Sequence, residues 1–240
     1  MVVWFQAKYE GADLLDLFMR AQPTTTRDAI YAALREQIVL CELPPGTNIS
    51  EKEISVKFNV SRTPVRESFV KLSQEGLLEI YPQRGTVVSL IDLGLVEEAR
   101  FMREQLESAV IQLACISFPS EQLASLKGNL ALQQLCIEEQ NHIRMFELDE
   151  AFHRILFEGC QKLNTWTMMQ QMNVHLNRTR TLRLADDHHW DQLYTQHLQM
   201  VEAIKDHDGR QAGLLMSDHL HLTITDQALL KEKYPDYFRI

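Results

Sequence analysis

The sequence predicts a mainly α protein in two parts: a small N-terminal domain of three helices and a β-hairpin, followed by an all-α antiparallel helical bundle. Three observations carry that prediction. Residues 51–86 show two short helical patterns separated by a tight turn and followed by a hairpin signature. After Asp92 the strand signals stop, and six helical stretches of roughly 15 to 23 residues follow with short links. Pro44, Pro45 and Gly46 separate the first helix from the rest of the small domain.

Taken in order, residues 1–23 are a weakly patterned leader, expected to be loose or to pack on a partner. The N-terminal domain is set at residues 24–90. Its first helix covers about 25–40, where Ile30, Leu34 and Ile38 make an apolar stripe at helical spacing. Ser50 stands three residues before Glu53, the spacing of a capping box, and opens a helix over 51–58. Asn59, Val60 and Ser61 form the turn. Thr63 and Pro64 begin the next helix, where a first-turn proline is tolerated because its missing amide needs no partner. Gly76 suits a left-handed cap at the helix end. Residues 77–80 and 86–90 then flank Pro82-Gln83-Arg84-Gly85, a hairpin with a cationic tip. The helical bundle is set at 95–230, with breaks at 118–120, 159–164, 185–188 and 206–209.

Composition narrows the setting. No apolar run approaches the ~20 residues needed to cross a bilayer, and the chain start lacks a signal-peptide pattern, so a cytoplasmic protein without a membrane is expected. Cys41, Cys115, Cys136 and Cys160 are scattered, as reduced thiols are. The net charge is −9, but residues 25–90 hold eight Lys/Arg and eight Asp/Glu, so the acid excess lies outside them. A neutral segment still binds a polyanion when its cations share one face.

Helix, turn, helix and basic hairpin in that order form the winged helix-turn-helix plan, in which the second helix enters the major groove by its N-terminal end. Arg62 and Arg66 sit there one turn apart, and an arginine fork grips guanine O6 and N7. Ser61 and Thr63 are placed to donate to phosphate, and the helix N-terminus adds its positive end. Lys52 is placed to touch the backbone, while Arg84 and Gly85 make a thin cationic wing tip for the minor groove.

The run over residues 43–88 resembles the N-terminal domain of GntR-family bacterial transcription regulators. Pro45-Gly46, Ser50-Glu51, Ser61-Arg62-Thr63-Pro64-Val65-Arg66, Leu72, Gly76-Leu77 and Arg84-Gly85 carry the resemblance. It implies a homodimer on a palindromic double-stranded DNA operator, contacted by Lys52, Ser61, Arg62, Thr63, Arg66, Arg84 and Gly85. Lys52 stands where the family often has arginine.

The second part holds all nine histidines. Asp149 and His153 lie four apart on one helix face, and His197 and His219 each fall among core-forming residues. One carboxylate and three imidazoles from three helices suit zinc first, with nickel, manganese or iron as alternatives. Spacing alone does not bring three helices together, so the residues leave that cluster open. His142, His188, His189 and His207 fall at helix ends or links and are expected in solvent; His221 is expected to face away.

An all-helical domain after such a winged helix resembles the FadR subfamily, and DEAFHRILFEGC, QHLQMVEAI and MSDHL resemble motifs of its FCD-type domain. The resemblance implies a divalent metal on Asp149, His153, His197 and His219 at the floor of an effector cavity. It also implies that Arg103 pairs with an effector carboxylate, with Arg178 preferred to Arg180 as a further contact. The expected function is a regulator, most often a repressor, answering to a small carboxylate or sugar acid. The competing reading is an enzyme using the Asp/His cluster, or a purely structural metal. Catalysis lacks an obvious general base, since Glu150 points about 100° from Asp149 around the helix. No enzyme is therefore expected.

Overall fold

The computed structural model describes residues 25–186, 190–221 and 227–239. The leader and the pair His188–His189 lie outside them. Helix α1 (Thr26–Val39) starts on Thr25, whose hydroxyl accepts from the Asp28 amide, and buries Ile30, Leu34 and Ile38 as the stripe requires. Strand β1 (Asn48–Ile49) follows the proline turn. Helix α2 (Glu51–Phe58) opens with a complete Ser50–Glu53 capping box and ends on Asn59, held in the left-handed region at φ 53°. Helix α3 (Arg62–Gln74) packs across α1 and stops before Gly76 at φ 73°. Strands β2 (Leu78–Tyr81) and β3 (Gly85–Val88) form the wing.

β1 adds a third strand that the sequence did not announce, giving an antiparallel sheet ordered β1-β3-β2 with Asn48 opposite Val87 and Leu78 opposite Val88. Two residues are too few for an alternation signal. At the tip Gln83 and Gly85 both have positive φ, which lets the chain reverse within four residues. Phe69, Leu72, Leu77 and Val88 seal the small core, which Glu75 reinforces by accepting from Tyr31 and Arg35 of α1.

Eight helices follow among the described residues: α4 (Leu93–Ile116), α5 (Ser120–Glu139), α6 (His142–Gly159), α7 (Leu163–Met172), α8 (Val174–Asp186), α9 (Trp190–Lys205), α10 (Gly209–His221) and α11 (Gln227–Lys233). The mainly α class and the two-part plan hold, but six helices are too few. The stretch expected to be one helix over 164–185 is broken at Asn173, a buried residue with no proline or glycine beside it to advertise the break. The chain end also contributes: Ile91 donates to Tyr237 O, and Arg239 N donates back to Ile91 O, so the tail lies along the linker between the two parts.

The bundle core centres on Ile111, Phe152, Leu156, Phe157, Met200 and Met216. Both parts share residues across their boundary. Val174 of α8 enters the small-domain core, and Val39 of α1 enters a cluster with Met145, Leu184 and Trp190. All four cysteines are free thiols. No helix among the described residues is long and apolar enough to cross a membrane.

Replacing Ser50 with Ala removes the α2 cap, and urea unfolding should show a loss of about 1 kcal/mol. An unchanged midpoint would mean that packing alone holds α2.

Candidate functional site

The residues expected to contact DNA lie on the surface, and the histidine cluster lies in the interior. Lys52, Ser61, Arg62, Thr63, Arg66, Arg84 and Gly85 are all exposed. Val65, Ser68, Phe69 and Leu72 turn the other face of α3 inward, so the helix periodicity itself leaves the cations out. Ser61 makes no side-chain cap on α3, in contrast to Ser50 on α2, so its hydroxyl is not used internally. Arg62 has no hydrogen bond or ion pair among the described residues, whereas Arg66 is gripped by Glu51.

Inside the bundle, α6 presents Asp149 and His153 one turn apart, α9 brings His197 and α10 brings His219. The four donor atoms lie within 4.8 Å of one another and all four residues are buried. His153 Nε2 is 3.3 Å from His219 Nε2 and 3.8 Å from Asp149 Oδ2, and His197 Nε2 is 3.6 Å from Asp149 Oδ1. His221 lies outside this group, exposed and 3.7 Å from Glu104.

Each imidazole is held from behind. His197 Nδ1 donates to Gln133 Oε1 at 2.9 Å, His219 Nδ1 donates to Gln196 Oε1 at 3.0 Å, and His153 Nδ1 lies against Glu107 Oε2. The Gln133 amide is itself oriented, because its nitrogen donates to Asn129 Oδ1 and Asn129 Nδ2 donates to Leu148 O. That chain ends on a backbone carbonyl and leaves Gln133 Oε1 facing His197 Nδ1 as an acceptor. The proton of His197 therefore sits on Nδ1, and its Nε2 turns a lone pair inward.

Phe152 stacks on the His197 ring with centroids 4.0 Å apart, which fixes its plane. Burial pushes His197 down to about 3 and His219 well below its ordinary value, so both stay neutral. His197 Nε2 is buried with no hydrogen-bond partner. Three imidazole nitrogens and a carboxylate oxygen converging on one buried point, with His197 Nε2 unpartnered, fit a divalent cation.

Beside the cluster is a small cavity of about 30 Å³ lined by Arg103, Asp149, Arg180, Arg183, Leu193 and His219, among others. Arg103 is buried, its Nε donates to Glu107 Oε1 at 2.5 Å, and its Nη2 is buried without a partner. Arg180 donates to Asp149 Oδ2 and Glu150 Oε1, so Glu150 serves as an arginine partner. Burial would raise the Asp149 carboxyl, but Arg180 outweighs it and holds it well below the carboxylate range.

Arg178 is not at this cavity, and the preference for it over Arg180 is corrected. Residues two apart on a helix point about 200° from each other, so only one of the two can face the cluster. Arg178 instead faces the small domain. Its Nη1 donates to Ser89 O at 2.6 Å and its Nη2 approaches His175 Nδ1 at 2.9 Å, fully buried. His175, unremarked among the nine, accepts from the Asp92 amide at 3.0 Å and is pushed down to about 4 by burial and Arg178. Gln133 and Gln196 carry no spacing signal that marks them as imidazole partners. Glu107 was visible only as an i,i+4 partner of Arg103.

The description "bacterial regulatory proteins, gntR family" is matched over residues 26–88, and the FCD domain is matched over 98–222. The chain belongs to the GntR family. It is similar to the HTH-type transcriptional repressor RspR of Escherichia coli K12, 35% identical over 87% of this chain and 92% of that protein. It is also similar to an HTH-type regulator in an unstable DNA locus of Streptomyces ambofaciens, 34% identical over 89% of this chain and 90% of that one. Among solved structures, E. coli McbR/YncC shares the fold with a TM-score of 0.76, at 19% identity over 88% of this chain and 99% of that one. The protein is thus a DNA-binding transcriptional regulator of GntR/FCD type and not an enzyme. GntR regulators usually act as dimers, and FCD domains often bind metal.

Burial raises Glu107, but Arg103 and the His153 ring outweigh it and bring the carboxyl down to about 2. Its contribution to stability is complete above its ordinary value and is lost as pH falls toward 2. Urea unfolding between about pH 5 and pH 3 should therefore show stability falling with acid, and less steeply in Glu107→Gln. An equal slope in the variant would remove Glu107 from the ion network.

Proposed function

We propose that this GntR regulator is a homodimeric repressor acting in the bacterial cytoplasm, whose affinity for a palindromic operator is set by a small carboxylate or sugar acid. The effector binds beside a divalent metal, zinc first, held by Asp149, His153, His197 and His219. One observation carries the reading: a buried, unpartnered Arg103 Nη2 stands at the cavity that the buried Asp/His group borders. An unpaired guanidinium nitrogen in the interior is costly unless an anion completes it. The bound ion would supply a Lewis-acidic contact for a carboxylate oxygen. Among the chain's own groups that line the cavity, Arg103 and Arg180 supply positive charge for the acid and Leu193 an apolar contact. The likeness to the repressor RspR supports the sign of regulation.

DNA recognition in this reading runs through Lys52, Ser61, Arg62, Thr63 and Arg66 on the helices and Arg84 and Gly85 on the wing. Their common exposure supports it. Regulation requires the effector to bind one dimer geometry better than the other. Helix α8 is the candidate carrier, since Arg180 meets the cluster and Arg178 holds Ser89 at the end of the wing.

Elemental analysis of the purified protein should find about one divalent ion per chain. Chelation or His197→Ala should abolish the response to carboxylates while leaving bare DNA affinity within a few-fold. A carboxylate response that survives without metal would sink the coordination model. Arg62→Ala should lower affinity for the protein's own promoter region by roughly 10- to 100-fold with metal content intact. Loss of both properties would indicate misfolding instead. Arg178→Met should keep metal and carboxylate binding but blunt the effect of carboxylate on DNA affinity. A full response in that variant would remove α8 as the carrier.

A further inference from the structure

Glu51 is the first residue of α2, and its carboxylate is spent on a residue of the neighbouring helix. Both of its oxygens accept from Arg66, Oε1 from Nε at 2.9 Å and Oε2 from Nη2 at 3.0 Å. The pair bridges the turn of the helix-turn-helix on its exposed side, with the Arg66 side chain 69% exposed and that of Glu51 30% exposed. An acid beside a surface meant for phosphate is an electrostatic liability, because it repels the DNA that its neighbours attract. A simple surface ion pair would contribute little to stability in return. The capping of α2 does not need it, since Ser50 and Glu53 complete the box between themselves. The pairing needs another reason.

The geometry of the fork supplies one. A guanidinium carries five N–H donors on two usable edges. Glu51 occupies the side edge formed by Nε and Nη2 and leaves the end edge, the two Nη nitrogens, unobstructed. With the side edge taken, that end edge is the one left to meet guanine O6 and N7 together. A long arginine free in solvent loses rotamer entropy when it docks; one already clamped loses less. Arg62 shows the contrast on the same helix: it is exposed and has no hydrogen bond or ion pair among the described residues, although its charge also reaches Glu51.

We propose that Glu51 is a specificity-determining buttress: it clamps the side edge of Arg66 so that the end edge is presented to a guanine, giving discrimination at the expense of general DNA affinity. The proposal rests on the reading of Arg66 as a base contact. The depressed carboxyl of Glu51, caused first by its hydrogen bonds to Arg66, is consistent with a persistent pair.

The test is selection of binding sites from a randomised DNA duplex pool by the full-length protein and by Glu51→Ala, Glu51→Gln and Arg66→Ala. Affinity for an unselected mixed-sequence duplex is measured in parallel. The wild type should select a guanine in each half-site. Glu51→Ala should cut the preference for that guanine about tenfold while binding the mixed duplex more tightly, and Glu51→Gln should fall between. Equal preference in Glu51→Ala and the wild type would overturn the buttress if Arg66→Ala alone loses the guanine. If Arg66→Ala also keeps it, the reading of Arg66 as a base contact fails, and the proposal falls with it. Thermal unfolding of each variant distinguishes lost discrimination from lost fold.

Discussion

Asp149 is a carboxylate in the middle of a helical bundle, and the arrangement of the bundle follows from where its charge can go. Removing an ionised carboxylate from water costs several kcal/mol even after relaxation, so it survives only with partners on every side. Arg180 of α8 donates to it, and His153, His197 and His219 bring ring nitrogens to the same point. Those partners come from four helices. Each must keep its rotation about its own axis, because a turn of one residue would move the ligand about 100° away. Glu107 and Arg103 extend the network onto α4. Five helices are thereby registered against one polar centre, while the hydrophobic core supplies the general cohesion.

The same constraint explains how two parts of the chain become one mechanical object. Once Arg180 is committed to Asp149 and Glu150, Arg178 has to face nearly the opposite way, toward the small domain. There it is as deeply buried as any residue in the protein and bonds to Ser89, which in turn donates to Gly76 O at the end of α3. Val174 and His175, a turn earlier, add an apolar contact and an acceptor for the Asp92 amide. The residues between the polar centre and the recognition helix thus form a short, continuous path through one rigid element. A single helix with opposed polar commitments cannot rotate to suit one end without disturbing the other.

Local rules made much of this visible in the sequence and left one kind of fact hidden. Ser50 with Glu53, Asn59 at the turn and Gly76 at the helix end are decided within a few residues, so their structure can be read from spacing. Asp149 and His153 are likewise one helix face apart. What could not be read is how separate helices rotate against one another. Arg178 and Arg180 are chemically identical candidates until Asp149 chooses between them. Gln133 and Gln196 become partners of imidazoles only when α5 and α9 are placed. The break at Asn173 has no local breaker because tertiary packing, with Val174 drawn into the small-domain core, imposes it. The tail beside Ile91 is separated from it by most of the chain, beyond the reach of any periodicity.

Charge is sorted by the same logic, and the sorting reconciles a net charge of −9 with a DNA-binding protein. Arg103, Arg178 and Arg180 are buried and meet carboxylates, a backbone carbonyl or an imidazole within the chain, because water cannot reach them. The side chains of Lys52, Arg62 and Arg84 are exposed and make no hydrogen bond or ion pair among the described residues. A cation left in water keeps its counterions until a phosphate displaces them, and the release of those ions favours binding. Net charge therefore says little about affinity here, since the acidic excess lies outside the small domain and the unpaired cations lie on it. An acidic excess placed outside the small domain repels a polyanion there and not at α3 or the wing.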